Sequence, residues 1–567
     1  MKLRLYHTWL IITSGLLLTF SFVGCTAEPE VQSPPNIVLI MADDVDFTNF
    51  SCYGGSIPTP GIDQLAAEGM RFQNVHTTAS ACTPSRFSVI TGLYPGRCQD
   101  PDFLEGQPLD QPYTITWNTP ITPANTTLHE VLQPDYFTGY VGKFHIGGLH
   151  EDTPEANPDI PLIPETLDLN TEEADRLLMQ YQKVLQEQVR ALTGADYAAS
   201  ILWENSEELP HPGIRHHHLE WMLNGGLEFL EATSRQEQPF FLHFNTTALH
   251  GPNHYEDLKR DARFSPEGRL DLSNHPMPER SSYFQQLETL GLPHGAGVPD
   301  HINHYNIGTL YLDAQIKALL QVLEGKGLKD NTLIILTADH NLEPGKSTVY
   351  EKGLRVPFLV RWPGKVEAGT TNDDLISFVD LLPTLAGIAK TDNNLPRTDG
   401  VDWSGALFEG KASPKRTHLY FEEGYTRAVT DGRWKYIAMR FPDTLIAQLE
   451  SGVQTGITHL GQPIHAFGYI AQEYHPGYFH ADQLYDLEAD PYEQRNLASL
   501  PTYADTLASL RAVLAEHAAT FDHAFPIQDT SYAKRPAYQA AAAAVKARGS
   551  GFIPWWKREL EYPPVKH

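Results

Sequence analysis

Asn36-Ile37-Val38-Leu39-Ile40-Met41, running into Ala42-Asp43-Asp44, decides the fold. The run is apolar without interruption and rich in branched side chains. A strand with no polar alternation suits a position covered on both faces, as in a parallel sheet. Similar runs recur at 239–244 (PFFLHF), 332–337 (TLIILT) and 356–360 (VPFLV). Helical patterns lie between them. Residues 60–69 (PGIDQLAAEG) read as a short amphipathic helix closed by glycine, and 305–323 carry apolar residues at helical spacing. Strands alternating with helices predict an α/β fold, a large, mostly parallel or mixed sheet sandwiched by helices.

Three stretches interrupt this rhythm and read as insertions: 98–127, 150–215 and 253–303. Long insertions on an α/β scaffold usually build a binding site. The second holds a helical pattern over 171–192, with Asn170 as N-cap and Gly194 behind its end. His216-His217-His218 has the residue type of a metal cluster, but adjacent residues do not share a helix face, so it reads as a solvated turn or helix start. After residue 410 the texture changes to short strands, at 419–421, 427–429 and 434–437, then a helix at 502–518. That pattern predicts a small antiparallel sheet. The expected division is an N-terminal catalytic domain over 36–410, an α+β subdomain over 411–520 and an extension over 521–567. In the extension, Trp555-Trp556 reads as packing for the tail.

The chain opens with Lys2 and Arg4, then an apolar run over 9–23 that is short for a membrane span. It ends at Gly24-Cys25 before a polar, Pro- and Glu-rich stretch. This boundary resembles a bacterial lipobox. The resemblance implies a signal peptide over 1–24, cleavage before Cys25 and a diacylglycerol on its thiol. Two or three acyl chains anchor stably where one does not. Residues 25–35 are then a tether, and the protein is exported to the periplasm or cell surface.

Composition agrees with a folded enzyme. Of 567 residues, 41% are hydrophobic and 20% charged, an ordinary globular balance. Lys and Arg number 42 against 70 Asp and Glu, a net charge of −28, which becomes −30 once Lys2 and Arg4 leave. Such a chain is poorly suited to nucleic acid, whose phosphates need a basic face. Four cysteines are too few for a disulfide-stapled scaffold. Cys52 and Cys98 have no assigned chemistry, and whether they pair is left open.

The most specific segment is Ala81-Cys82-Thr83-Pro84-Ser85-Arg86, followed by Gly92-Leu93-Tyr94-Pro95-Gly96-Arg97. Cys-x-Pro-x-Arg resembles the signature of the formylglycine-dependent (type I) sulfatases, of the alkaline phosphatase-like superfamily. The resemblance extends over nearly all of 36–500 apart from the insertions. In that family the cysteine is oxidised to an aldehyde, formylglycine, by a formylglycine-generating enzyme. The residues themselves point the same way. A sulfate ester is an anion, so its site needs a hard cation, fixed positive donors and a nucleophile that can reset. Carboxylates at strand ends suit Ca²⁺ or Mg²⁺, and in open α/β sheets sites form beyond the carboxyl ends of strands. By resemblance the cation ligands are Asp43, Asp44, Asp339, His340 and residue 82 as formylglycine. Calcium is favoured over magnesium, since this ligand set is crowded and irregular.

Further blocks carry the cationic and acid–base groups. Tyr140–Gly147 (YVGKFHIG) resembles the family's Gly-Lys-Trp-His block, with Phe144 in place of Trp. It implies Lys143 as a sulfate-binding cation and His145 as base. Alternation along an extended segment would put both on one side. The segment ending Ala248-Leu249-His250 implies His250 as general acid, with Leu249 replacing the family's Pro. Gly345–Glu351 (GKSTVYE) implies Lys346 as a second sulfate grip, with Lys352 as the alternative because the gap from His340 is short.

The implied mechanism is covalent catalysis with a self-resetting nucleophile. Hydrated formylglycine attacks sulfur, helped by Arg86, His250 protonates the leaving oxygen, and His145 takes the proton that expels sulfate. The expected activity is hydrolysis of sulfate esters on carbohydrate. The alternatives are an arylsulfatase or a phosphonate or phosphodiester hydrolase on the same scaffold, or a non-catalytic lipoprotein that binds sulfated glycans.

Overall fold

The strand that opens the fold, β1 (Asn36–Ala42), is buried along its whole length, which is why no polar alternation is written into it. The computed structural model describes residues 34–148, 151–342, 344–392, 395–408, 415–462 and 471–548. The segment expected to be a signal peptide, Cys25 and Trp555-Trp556 lie outside them. From Pro35 on, the chain forms one compact unit.

Seven further strands complete the main sheet: β2 (Met70–Phe72), β3 (Phe137–Lys143), β4 (Tyr197–Leu202), β5 (Phe240–Asn245), β6 (Thr332–Ala338), β7 (Phe358–Arg361) and β8 (Thr370–Asn372). Their order across the sheet is β8-β2-β7-β6-β1-β5-β3-β4. From β6 to β4 all neighbours run parallel. β7 is antiparallel to both its neighbours, so the sheet is mixed. The helices α1 (Pro60–Glu68), α2 (Cys82–Thr91), α3 (Glu172–Thr193), α4 (Leu219–Thr233), α5 (Arg280–Leu290) and α6 (Asp300–Gly325) accompany it. The expected α/β sandwich is therefore present. A second sheet of four antiparallel strands follows: β9 (Leu419–Glu423), β10 (Thr426–Thr430), β11 (Trp434–Met439) and β12 (Asp482–Asp486).

Several local expectations are corrected. Thr171, not Asn170, caps α3: its hydroxyl accepts from the Ala174 amide, while the Asn170 side chain turns back to Asp168. Residues 150–215 are more than an insertion, since they contribute β4 to the main sheet. Residues 253–303 are less irregular than their Pro and His content suggests, since they contain α5. His216, His217 and His218 are buried, with His218 as the N-cap position of α4. Cys52 and Cys98 are both free thiols. Among the described residues, no helix is long and apolar enough to cross a membrane.

Candidate active site

Four adjacent parallel strands, β6-β1-β5-β3, end at one edge of the sheet. Each carries polar residues just at or beyond its carboxyl end. β1 runs into Asp43-Asp44, β6 into Asp339-His340, β5 ends at Asn245 and β3 at Lys143. The register holds Ala42 opposite Ala338, so Asp43 and Asp339 leave the sheet side by side. The Asp339 amide donates to the Ala42 carbonyl at 2.9 Å.

Cys82 is the first residue of α2, so it sits at the positive end of the helix dipole, where backbone amides favour an anion. Arg86 lies one turn on, on the same helix face. Every residue of α2 is buried. Cys82 Sγ is 3.3 Å from His340 Nε2, 3.7 Å from Asp43 Oδ1 and 3.8 Å from Lys143 Nζ.

Around it, three carboxylates meet three fixed cations. Lys143 Nζ donates to Asp43 Oδ2 at 2.6 Å. Arg86 Nη2 donates to Asp339 Oδ2 at 3.1 Å and lies 3.6 Å from Asp43 Oδ1. Lys346 Nζ reaches both oxygens of Asp44, at 2.7 and 2.8 Å. Of the two candidate lysines, Lys346 is therefore the one in the cluster, and Lys352 Nζ lies over the Tyr492 ring instead. His250 Nε2 is 3.8 Å from Asp44 Oδ2, and its Nδ1 faces the Gly251 carbonyl at 2.8 Å.

His145 belongs to the site by a different route from the one alternation suggests. β3 stops at Lys143, and His145 adopts a left-handed backbone, φ 49°. Asp44 does the same, φ 55°. Left-handed backbone costs a non-glycine residue about 1–2 kcal/mol, and such conformations gather at functional sites. The charges of Lys143, Asp43, Arg86 and His250 all act on the buried His145 ring.

The electrostatics follow from burial. Burial pushes the Cys82 thiol well above its usual value, and Asp43 and Asp339 add to this against Lys143. As a plain thiol it is a poor nucleophile, since the thiolate is the reactive form. Burial also drives His145 well below its ordinary range, with Lys143 adding, so its ring is neutral and able to accept a proton. His340 is lowered by burial too, leaving an imidazole nitrogen for a cation. For Asp43 burial opposes the charge, yet Lys143, His250 and Arg86 hold the carboxyl well below the usual range.

Two members of the site escaped sequence reasoning. Asn245 Oδ1 accepts from Arg86 Nη1 at 2.9 Å, and Asn205 Oδ1 accepts from Lys143 Nζ at 2.8 Å. Asn245 ends a strand that the sequence did mark. Asn205 follows β4, in a segment read as an insertion, so no signal singled it out.

The donor set fits a divalent cation. Ligand atoms of Asp43, Cys82 and Asp339, and of Asp44, Cys82 and His340, form two buried triads, each within 4.8 Å. Three carboxylates against Arg86, Lys143 and Lys346 are neutral together. A divalent ion would give the site a net positive charge, which is what an anionic substrate needs.

The family model described as Sulfatase matches residues 35–391. The chain belongs to the sulfatase family. It is a sulfuric ester hydrolase, and the match covers every one of the predicted site residues. It is 28% identical to arylsulfatase A of Homo sapiens over 503 residues, covering 82% of this chain and 84% of that protein. It is 25% identical to an N-acetylgalactosamine-6-O-sulfatase of Bacteroides thetaiotaomicron over 534 residues, covering 82% and 89%. Among solved structures, a sulfatase from work on glycosaminoglycan metabolism by B. thetaiotaomicron shares the fold. Its TM-score is 0.53 at 23% identity, covering 86% of this chain and 99% of that one.

Proposed function

We propose that this sulfatase removes sulfate from sulfated carbohydrate, with residue 82 converted to formylglycine and a calcium ion held by Asp43, Asp44, Asp339 and His340. The supporting observation is the buried Cys82 at the head of α2, where burial disfavours its thiolate while Arg86, Lys143 and Lys346 crowd round it. Relatives named for sulfated sugars, including ulvan-active sulfatases of Formosa agariphila at 26% and 25% identity, support the substrate class.

Formylglycine, as its hydrate, supplies the attacking hydroxyl, and the cation supplies positive charge beside the sulfate oxygens. The chain's own groups do the rest. Lys143, Lys346 and Arg86 bind the sulfate oxygens and stabilise the charge that develops on them. His250 Nε2, at the rim beside Asp44, gives its proton to the departing sugar oxygen. Neutral His145 takes the proton whose removal releases sulfate. Asn205 and Asn245 keep Lys143 and Arg86 pointed inward. Because Cys82 is buried, the formylglycine-generating enzyme would act before the chain closes. Export on a lipid at Cys25 would place the enzyme at a membrane surface, where polysaccharide is met.

Turnover on a panel of sulfated oligosaccharides, nitrophenyl sulfate and phosphodiesters tests the proposal. Release of sulfate from sugars is expected; activity on phosphodiesters alone would overturn it. Mass spectrometry of the peptide spanning Cys82 should show the loss expected when CH₂SH becomes CHO. An intact thiol in active enzyme would remove formylglycine from the account.

A further inference from the structure

The loop that carries His250 is bordered by a second buried cluster, which the reaction does not use. His217 directly precedes the N-cap of α4. His254 and Asp257 begin and end the short helix that closes the loop, His254–Asp257. All three side chains are buried: His217 is 1% exposed, His254 0% and Asp257 3%. One ligand atom from each lies within 4.8 Å of the others.

Asp257 Oδ2 accepts from the His217 amide at 3.1 Å, but the ring nitrogens of the two histidines are poorly satisfied by protein. His217 Nδ1 meets Thr247 Oγ1 at 2.8 Å, but its Nε2 has no hydrogen-bond partner. Neither ring nitrogen of His254 has one. A buried polar atom left without a partner keeps its desolvation penalty unrepaid. The two rings nonetheless stand close, centroids 4.1 Å apart and 32° from coplanar.

The surrounding chain holds this arrangement firmly. The buried Arg280 donates to the Asp257 carbonyl at 3.1 Å and to the His217 carbonyl at 3.2 Å. Its guanidinium is fixed by both oxygens of Glu220, at 2.9 and 2.8 Å. The two segments that bring the histidines are thus clamped to one cation. Across the cluster, α6 places Gly308 against the His254 ring. A Cβ there would come 2.6 Å from His254 Cδ2. Glycine inside a helix is destabilising relative to alanine, so room for this ring is kept at the expense of helix stability.

We propose that His217, His254 and Asp257 bind a Zn²⁺, which fastens the His250 loop to the start of α4. Two imidazoles and one carboxylate suit a borderline cation that takes nitrogen. The Cys82 site, with three carboxylates, suits a hard one. Three protein ligands leave one position for water. The metal answers the open nitrogen of His217 and one of the two on His254. It makes the loop a positioning element for His250, while Zn²⁺ binding itself stands independently of the reaction.

The test uses the full chain carrying Cys82→Ala, so that no thiolate in the first site competes for zinc. The protein is equilibrated with Zn²⁺ in saturating Ca²⁺, desalted, and its zinc counted by mass spectrometry. One Zn²⁺ per chain is expected, falling at least fivefold in His254→Gln and in Asp257→Asn. No retained zinc, or retention unchanged in both variants, overturns the proposal. Should the variants fail to fold, Co²⁺ in the otherwise unaltered Cys82→Ala chain decides. Intense visible bands of a four-coordinate ion that Zn²⁺ displaces support the site. A pale six-coordinate spectrum, or none, overturns it.

Discussion

The Cys82 cluster and the His217 cluster lie on either side of one loop, both buried, and they solve burial in opposite ways. Around Cys82 each carboxylate faces a cation: Asp43 faces Lys143, Asp44 faces Lys346 and Asp339 faces Arg86. Around His217 and His254 the open atoms are neutral ring nitrogens. Buried charges are kept by pairing, because an unpaired ion in a low-dielectric interior is costly. Neutral imidazoles carry a smaller penalty and can persist unpaired until a ligand arrives. The first cluster is built to turn over an anion and the second to hold a cation still. Substitutions in the two should therefore fail differently, one in turnover and the other in stability or positioning.

The largest expected effect is Cys82→Ala. It should lower kcat/KM by at least ~10³-fold, with circular dichroism unchanged because a small buried side chain is exchanged for a smaller one. Retained activity would break the comparison at its first term. Next, Lys346→Ala should cost about 10²–10³-fold in kcat, whereas Lys352→Ala should stay within about twofold. Equal losses would mean that Lys346 does not grip the sulfate. His250→Ala should cost about 10²–10⁴-fold on sugar sulfates and much less on nitrophenyl sulfate, whose leaving group needs no proton. Equal losses on both would move His250 from acid to binding group.

Two predictions concern stability. Arg280→Met leaves Glu220 buried without its cation and should cost about 3–5 kcal/mol in denaturant unfolding. It should impair the His217 side of the loop more than the chemistry at Cys82. A loss confined to kcat would sink that assignment. The smallest effect is on acid stability. Burial lowers His129 from 6.5 to about 3. The unfolded chain takes up its proton first, so stability rises with pH in this window. This contribution is complete above pH 6.5 and is lost as pH falls from 6.5 toward about 3. His129→Phe should flatten that part of the melting-temperature profile, and an unchanged profile would show that other groups set it.

Much of the first cluster is legible in the amino-acid sequence. The strand ends at Asp43-Asp44 and Asp339-His340, the Cys82–Arg86 helix turn, Lys143 and His250 all sit in motifs of fixed local spacing. Local spacing survives folding, so these residues do meet at one edge of the sheet. What failed were inferences that needed the third dimension. Alternation put His145 beside Lys143 on a strand that ends at Lys143, two residues short of it. The rule that adjacent residues do not share a helix face made His216, His217 and His218 look like a solvated turn. That argument is sound for one isolated element, but it says nothing of what packs over it. Asn205 lay unmarked in a segment taken for an insertion, because only the sheet order shows β4 beside β3.

The sequence by itself determined the covered strands, the family motifs and the chemistry those motifs carry. These depend on residue type and short-range spacing. Only the tertiary structure decided which lysine enters the site, which asparagines support it, and that His217, His254 and Asp257 meet. The last pair come from one short helix and the first from the start of another. They converge because Arg280 clamps both segments and Gly308 leaves room for the ring. Those are contacts between residues tens of positions apart, and no local pattern encodes them.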